Sequence, residues 1–281
     1  MGLIGGSVAL ALKKAQFAAH IVGVGRSENG LQQALDLGVI NAAETSIEAA
    51  CNDADLILIA APVAQTKVIL QSIKPHLNSK AIITDAGSTK VDVMACAREI
   101  LGAQFSQFVG GHPIAGAEKS GVNAATADLF IGKNVVLTPS PETSTHALAS
   151  IVQLWQACGA NEREMSAENH DSIFALVSHL PHLLAFALVD DIASRQNAEE
   201  LFSFAASGFR DFTRIAGSSP EMWRDISLAN KTALISEISA FEKELNQLKQ
   251  LINNDDAAGL HALFERASEA RNIWDKYQKN K

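Results

Sequence analysis

The sequence predicts two parts of different class, an α/β half over residues 1–163 and an all-α half over 164–281. Three observations carry that division. Apolar runs of strand length alternate with helical patterns as far as about residue 158. A glycine cluster, Gly2-Leu3-Ile4-Gly5-Gly6-Ser7, opens the first helix. From about Ser166 the alternation stops and only long helical periodicities remain. Strand–helix alternation is the pattern of a doubly wound sheet, because parallel strands need helical crossovers.

The elements follow in order. Residues 2–17 read as a helix of small residues, and His20 to Gly25 as a short strand. A polar helix over about 28–37 leads to Gly38-Val39-Ile40. Asp55 to Val63 (DLILIAAPV) is continuously apolar, as expected of a strand buried on both faces. A helix near 64–76, a strand at 81–85, a helix near 89–101, strands at Phe108-Val109 and 134–139, and a helix over 143–158 complete this half. Helices at about 167–195, 198–207, 219–252 and 255–278 make the second half. In the third of these, Leu234, Ile238, Phe241, Leu245, Leu248 and Ile252 recur at spacings of 4, 3, 4, 3 and 4. Such a seam needs an apolar partner surface, in its own domain or in a second copy.

A chain of 281 residues has room for two cores, and 47% apolar with 19% charged residues is globular composition. A formal charge of −8 argues against nucleic acid or anionic membrane as partner. The odd, scattered Cys51, Cys96 and Cys158 suggest a reducing compartment and no metal site. Lys13 and Lys14 follow the apolar start where a leader would have them precede it, and no run reaches ~18 uninterrupted apolar residues. The expectation is a cytoplasmic protein.

The glycine cluster fits the second and third glycines of a GxGxxG dinucleotide fingerprint, in which a helix N-terminus faces a pyrophosphate. The first glycine and the strand before it would fall ahead of Met1. A Rossmann-like domain without its first, central strand would uncover apolar helix faces at about 25 cal/mol per Å², so the natural chain is expected to start upstream. Where NAD-preferring sites carry an acid after the second strand, this chain has Arg26-Ser27, which favours NADP over NAD. Gly2, Leu3, Ile4, Gly5, Arg26, Ser27, Ala61 and Pro62 form the expected nucleotide-binding set.

Gly110 to Gly121 (GGHPIAGAEKSG) reads as a rigid loop, too irregular for a helix and too glycine-rich for a good strand. It presents His112 beside Glu118 and Lys119. Asp85-Ala86-Gly87-Ser88-Thr89-Lys90 sits at a strand end, where Ser88 could cap the following helix or orient a reactive group. The helical half supplies Ser178-His179-Leu180-Pro181-His182, and Arg214 among apolar neighbours, which calls for a carboxylate. A titratable group beside a redox cofactor suggests paired proton and hydride removal. A hydroxyacid dehydrogenase using Lys90 or Lys119 as base, and a non-catalytic nucleotide-binding dimer scaffold, share parts of this pattern.

GLIGGS, DAGSTK, GGHPIAGAEKSG, SHLPH, DFTRIA and PEMWRDI, in that order over essentially the whole chain, resemble the prephenate/arogenate dehydrogenase family of tyrosine biosynthesis. The resemblance implies a Rossmann domain with NAD or NADP, a helical dimerisation domain forming a homodimer, and oxidative decarboxylation of prephenate or arogenate. It makes His112 the catalytic base and Ser88 its bridge to the substrate hydroxyl. Arg214 then binds a substrate carboxylate, and Glu118, His179, His182 and Trp223 surround the substrate.

Overall fold

The computed structural model describes residues 1–25, 27–117 and 119–279. The chain divides into two compact units, Met1–Lys231 and Thr232–Lys281. In the first, β1 (Val22–Val24) and β2 (Ala42–Glu44) form a parallel ribbon. β3 (Leu56–Ile59), β4 (Ile82–Asp85), β5 (Phe108–Pro113), β6 (Asn134–Thr138) and β7 (Asn161–Glu164) form a five-stranded sheet in that order. β3, β4 and β5 are parallel, β6 runs against β5, and β7 is parallel to β6. Among the described residues β1 and β3 each have one unpaired edge. Hence Leu56, Ile57 and Leu58 are only half-buried, where the apolar run predicts burial on both faces.

The helices of this unit are α1 (Leu3–Lys14), α2 (Glu28–Asp36), α3 (Ile47–Cys51), α4 (Thr66–Ile73), α5 (Val91–Leu101), α6 (Thr145–Ala157), α7 (Ala167–Phe174), α8 (Leu180–Ala193), α9 (Ala198–Ser203), α10 (Ser207–Thr213) and α11 (Pro220–Ala229). Strand side chains alternate between two cores. Ile82, Val109, Val135 and Leu137 face Val8, Leu12, Ile151, Leu154 and Trp155 of α1 and α6. Ile83 and Phe108 face Leu70 and Ile73 of α4 and Val93, Ala97 and Leu101 of α5. Each such large apolar side chain contributes roughly 1.5–3 kcal/mol on burial.

The Gly110–Pro113 stretch corrects the loop reading. It is the end of β5, paired antiparallel with β6 through Gly110↔Thr138, Gly111↔Leu137, His112↔Val136 and Pro113↔Val135. The glycines serve close approach. A Cβ on Gly110 would collide with Thr138 Oγ1 and Met94 Sδ, and one on Gly111 would lie 2.7 Å from the Asp85 carbonyl oxygen. Strand glycines of this kind mark a backbone neighbour, not flexibility.

α7 and α8 are one continuous run through a π-turn at Ala175–His179. By length and a hydropathy of 1.8 the run Ala167–Ala193 could cross a membrane, its most apolar window being 28% buried. However, it buries His170, Asp171, His179 and Leu180 within the first unit, and a folded domain's helix can pass the same test. The second unit contains most of α12 (Lys231–Asn253) and α13 (Ala257–Lys279). The seam of α12 is half-open: Phe241 and Leu248 are half-buried, whereas Leu245 and Ile252 are exposed.

Candidate active site

β4 ends at Asp85, and the link to α5 turns beneath it. The Asp85 carboxylate accepts from the Gly87 N–H at 2.8 Å through Oδ2 and from the Gly111 N–H at 3.0 Å through Oδ1. The ammonium of Lys90 forms a fully buried ion pair with the same carboxylate. This one group therefore ties β4, the DAGSTK turn and β5 together. The pairing Ile83↔Phe108 and Thr84↔Val109 then carries His112 past the end of β4, on the side of the parallel strands' carboxyl ends, where open α/β folds bind ligands.

His112 is half-exposed and packs edge-on to Phe174 and His170, at 4.9 and 5.0 Å between ring centres. Its Nδ1 lies 2.8 Å from His170 Nε2, and His170 Nδ1 lies 2.7 Å from Asp171 Oδ1. Asp171 also accepts from the backbone N–H groups of Lys90 and Val91, at 2.8 and 2.9 Å. This corrects the capping reading of Ser88: α5 starts at Val91, and its first amides are satisfied by a carboxylate from α7. Ser88 is half-buried, with no hydrogen bond from its hydroxyl among the described residues.

A second cluster lies at the start of α8, on α11 and at Asn230, which ends α11. Asn230 donates to the Asp171 carbonyl at 2.8 Å and, with its other amide hydrogen, to His179 Nδ1 at 3.2 Å. His179 is buried and faces the Ser88 backbone. His182 donates from Nδ1 to the Ser178 carbonyl at 2.9 Å and stacks on buried Trp223, ring centres 3.7 Å apart. Arg214, at the head of a 3-10 turn, is exposed rather than enclosed, and its charge is felt at His182.

Burial is the first cause that lowers the pKa of all four histidines. His112 goes well below 6.5, with the charge of Lys90 adding to the effect of burial. His179 falls to about 4, and His170 and His182 move the same way. An unfolded histidine titrates near 6.5. Below that pH the unfolded chain binds protons that the folded chain refuses. Stability is therefore complete above about 6.5 and lost as pH drops through the folded values. Tm measured between about pH 7 and pH 5 should decline progressively; a flat profile contradicts neutral burial of these rings.

Most of the residues expected to bind a nucleotide gather at the N-terminus of α1. It has no side-chain cap and no acid in its first turn, so its amides are free to face an anion. A Cβ on Gly5 would lie 3.3 Å from Ala60 Cβ, whereas Gly2 has open space around it. The helix thus starts close against the turn after β3, which carries Ala61 and Pro62, and Leu3 and Ile4 are half-buried there. These features fit a pyrophosphate. Ser27 caps α2, accepting from the Gly30 N–H at 3.2 Å. Arg26 and Glu118 lie outside the described residues.

Sequence reasoning missed His170, Asp171 and Asn230. The available signal was Asn169-His170-Asp171, a polar run opening an otherwise apolar helix. Lys90, a candidate base of the hydroxyacid dehydrogenase reading, is locked against Asp85 instead.

Comparison with known proteins identifies the family of this chain. The family model for the prephenate dehydrogenase nucleotide-binding domain matches residues 8–163, and that for the prephenate dehydrogenase dimerization domain matches 166–266. A prephenate dehydrogenase of Bacillus subtilis (strain 168) is 40% identical over 273 residues, 96% of this chain and 73% of that protein. The crystal structure of prephenate dehydrogenase from A. aeolicus, in complex with hydroxyphenyl propionate and NAD+, superposes with a TM-score of 0.91 at 39% identity, covering 96% of this chain and 94% of that one. Synechocystis arogenate dehydrogenase gives a TM-score of 0.82 at 28% identity, covering 97% of each chain. With both halves matched in order around a Rossmann-like sheet, this chain belongs to the prephenate dehydrogenase family.

Proposed function

We propose that this protein oxidises prephenate to 4-hydroxyphenylpyruvate and carbon dioxide with a nicotinamide dinucleotide. The observation that carries the reading is His112, a half-buried imidazole held neutral near the C-terminal end of β5. A neutral imidazole can take the proton of the ring hydroxyl. With the pyrophosphate of the dinucleotide at the α1 N-terminus, the nicotinamide would supply the hydride acceptor for the carbon that bears this hydroxyl. Ser88 bridges His112 and that hydroxyl. The electrons of the carboxyl–ring bond then enter the ring as carbon dioxide leaves, and the phenolate oxygen takes back the proton that His112 held. Orientation and charge placement carry most of the rate.

Arg214 binds a substrate carboxylate, His179, His182 and Trp223 line the space for the ring and side chain, and the family resemblance alone assigns Glu118 to the substrate. Residues 1–163 hold the nucleotide, and 164–281 complete the substrate pocket and pair two copies of the chain. The exposed Ile173, Leu176 and Val177 of the α7–α8 run and Ile252, Phe264 and Trp274 beyond it suit a dimer surface. Arg26-Ser27 favours NADP. The likeness to an arogenate dehydrogenase supports a second substrate, arogenate, which differs from prephenate in an amino in place of a keto group.

Adding prephenate or arogenate with NADP or NAD and following reduced nicotinamide tests the reading; no reduction with either substrate defeats it. Arg214→Ala should raise KM by about 10–100-fold with kcat changed far less, because it removes a charge-assisted pair worth roughly 1.5–3 kcal/mol. Steady-state kinetics check this split.

A further inference from the structure

The contacts beneath His112 fix more than its place. Asp171 accepts the backbone N–H groups of Lys90 on Oδ1 and Val91 on Oδ2, and the same Oδ1 lies 2.7 Å from His170 Nδ1, facing the ring as an acceptor. The proton of His170 must then sit on Nδ1. His170 is fully buried and burial keeps it neutral, which leaves Nε2 as a bare lone pair 2.8 Å from His112 Nδ1. His112 must donate there. The tautomer of a histidine is set by the hydrogen bond that its other nitrogen makes.

The geometry points to His170 and Asp171 as positioning residues that hold His112 in its Nδ1–H tautomer, with Nε2 bare toward the substrate side. The other tautomer would present an N–H to the hydroxyl and could take no proton. The relay also sets how the charge is shared once His112 is protonated. A carboxylate bonded directly to His112 would stabilise imidazolium and raise its pKa. Here a neutral ring stands between them, so Asp171 orients the base without charging it at rest. Asp171 does a second job with the same oxygens, capping α5, so the DAGSTK turn and the base share one anchor.

The catalytic meaning of this relay rests on the prephenate reading, but its existence does not. Two-bond proton–nitrogen spectra of the full chain labelled in histidine, without substrate or nucleotide, read the tautomer directly. The wild type should show His112 protonated on Nδ1 and bare on Nε2. His170→Phe should populate the Nε2–H form and lower kcat roughly 10–10³-fold with KM nearly unchanged. His170→Gln, whose amide oxygen can accept from His112 Nδ1–H, should restore the tautomer and most of kcat. An Nε2–H form in the wild type, or a His170→Phe protein with the native tautomer and native kcat, overturns the relay. If His170→Phe does not fold, the wild-type spectrum and the Gln variant decide. The Nδ1–H tautomer in a protein that turns over neither prephenate nor arogenate supports the relay and removes the reaction reading alone.

Discussion

His112→Asn is expected to lower kcat by roughly 10²–10⁴-fold, the range for loss of a general base, with KM within a few-fold of wild type. Asparagine can keep a donor near the Nδ1 position and so preserve the contact to His170 Nε2. Packing against Phe174 is the main structural loss, and an unchanged far-ultraviolet spectrum with a small drop in Tm would show that the fold survives. The wild-type pH profile belongs to the same prediction. Because burial first, with the Lys90 charge adding to it, pushes His112 down, the acidic limb of kcat/KM should lie below the ordinary histidine value of about 6.5. Native turnover by His112→Asn would take the imidazole out of the reaction.

The largest loss of stability is expected from Lys90→Met. The ammonium is fully buried on Asp85, and Asp85 also takes the amides of Gly87 and Gly111. Removing one partner leaves an uncompensated buried charge at about 3–5 kcal/mol, which for a unit of this size lowers Tm by roughly 6–20 °C. Adding Asp85→Asn removes the stranded charge, so the double variant should regain a good part of the loss. Loss of Lys90 also relieves a charge that lowers His112, so histidine resonances of the folded variant should titrate higher. Additive losses in the double variant would show that the pair is not coupled.

Much of the first unit was legible because its signals are local. The apolar runs found β3 and β4 within a few residues, whereas Ser27, Ser46, Ser144 and Ser166, each of which caps a helix by accepting from an amide three residues on, were not read as caps. β2 and β7 were not found. Ala42–Glu44 and Asn161–Glu164 are short and weakly apolar, and only their pairing with β1 and β6 makes them strands. The Gly110–Pro113 strand escaped for the opposite reason. Its glycines read as irregular backbone until Asp85 and Thr138 are seen pressing on them.

At the site, motif residues were visible as types, and the partners that orient them were not. Nothing in the chain near His112 announces His170, 58 residues away. The link from Asp171 to the start of α5 spans 80 and 81 residues. Such contacts are products of the fold, and periodicity does not encode them.

The π-turn at Ala175–His179 matters for the order of the histidines along one rod. Nine residues of regular α-helix make about two and a half turns, so an unbroken helix would aim His170 and His179 in opposite directions. Local underwinding over five residues rotates the downstream segment, and both rings become buried in the same unit. The distance in sequence between base support and substrate cluster is thus a phase relation. A homologue that adds or drops one residue in this segment must rebuild the pocket wall, whatever motifs it retains.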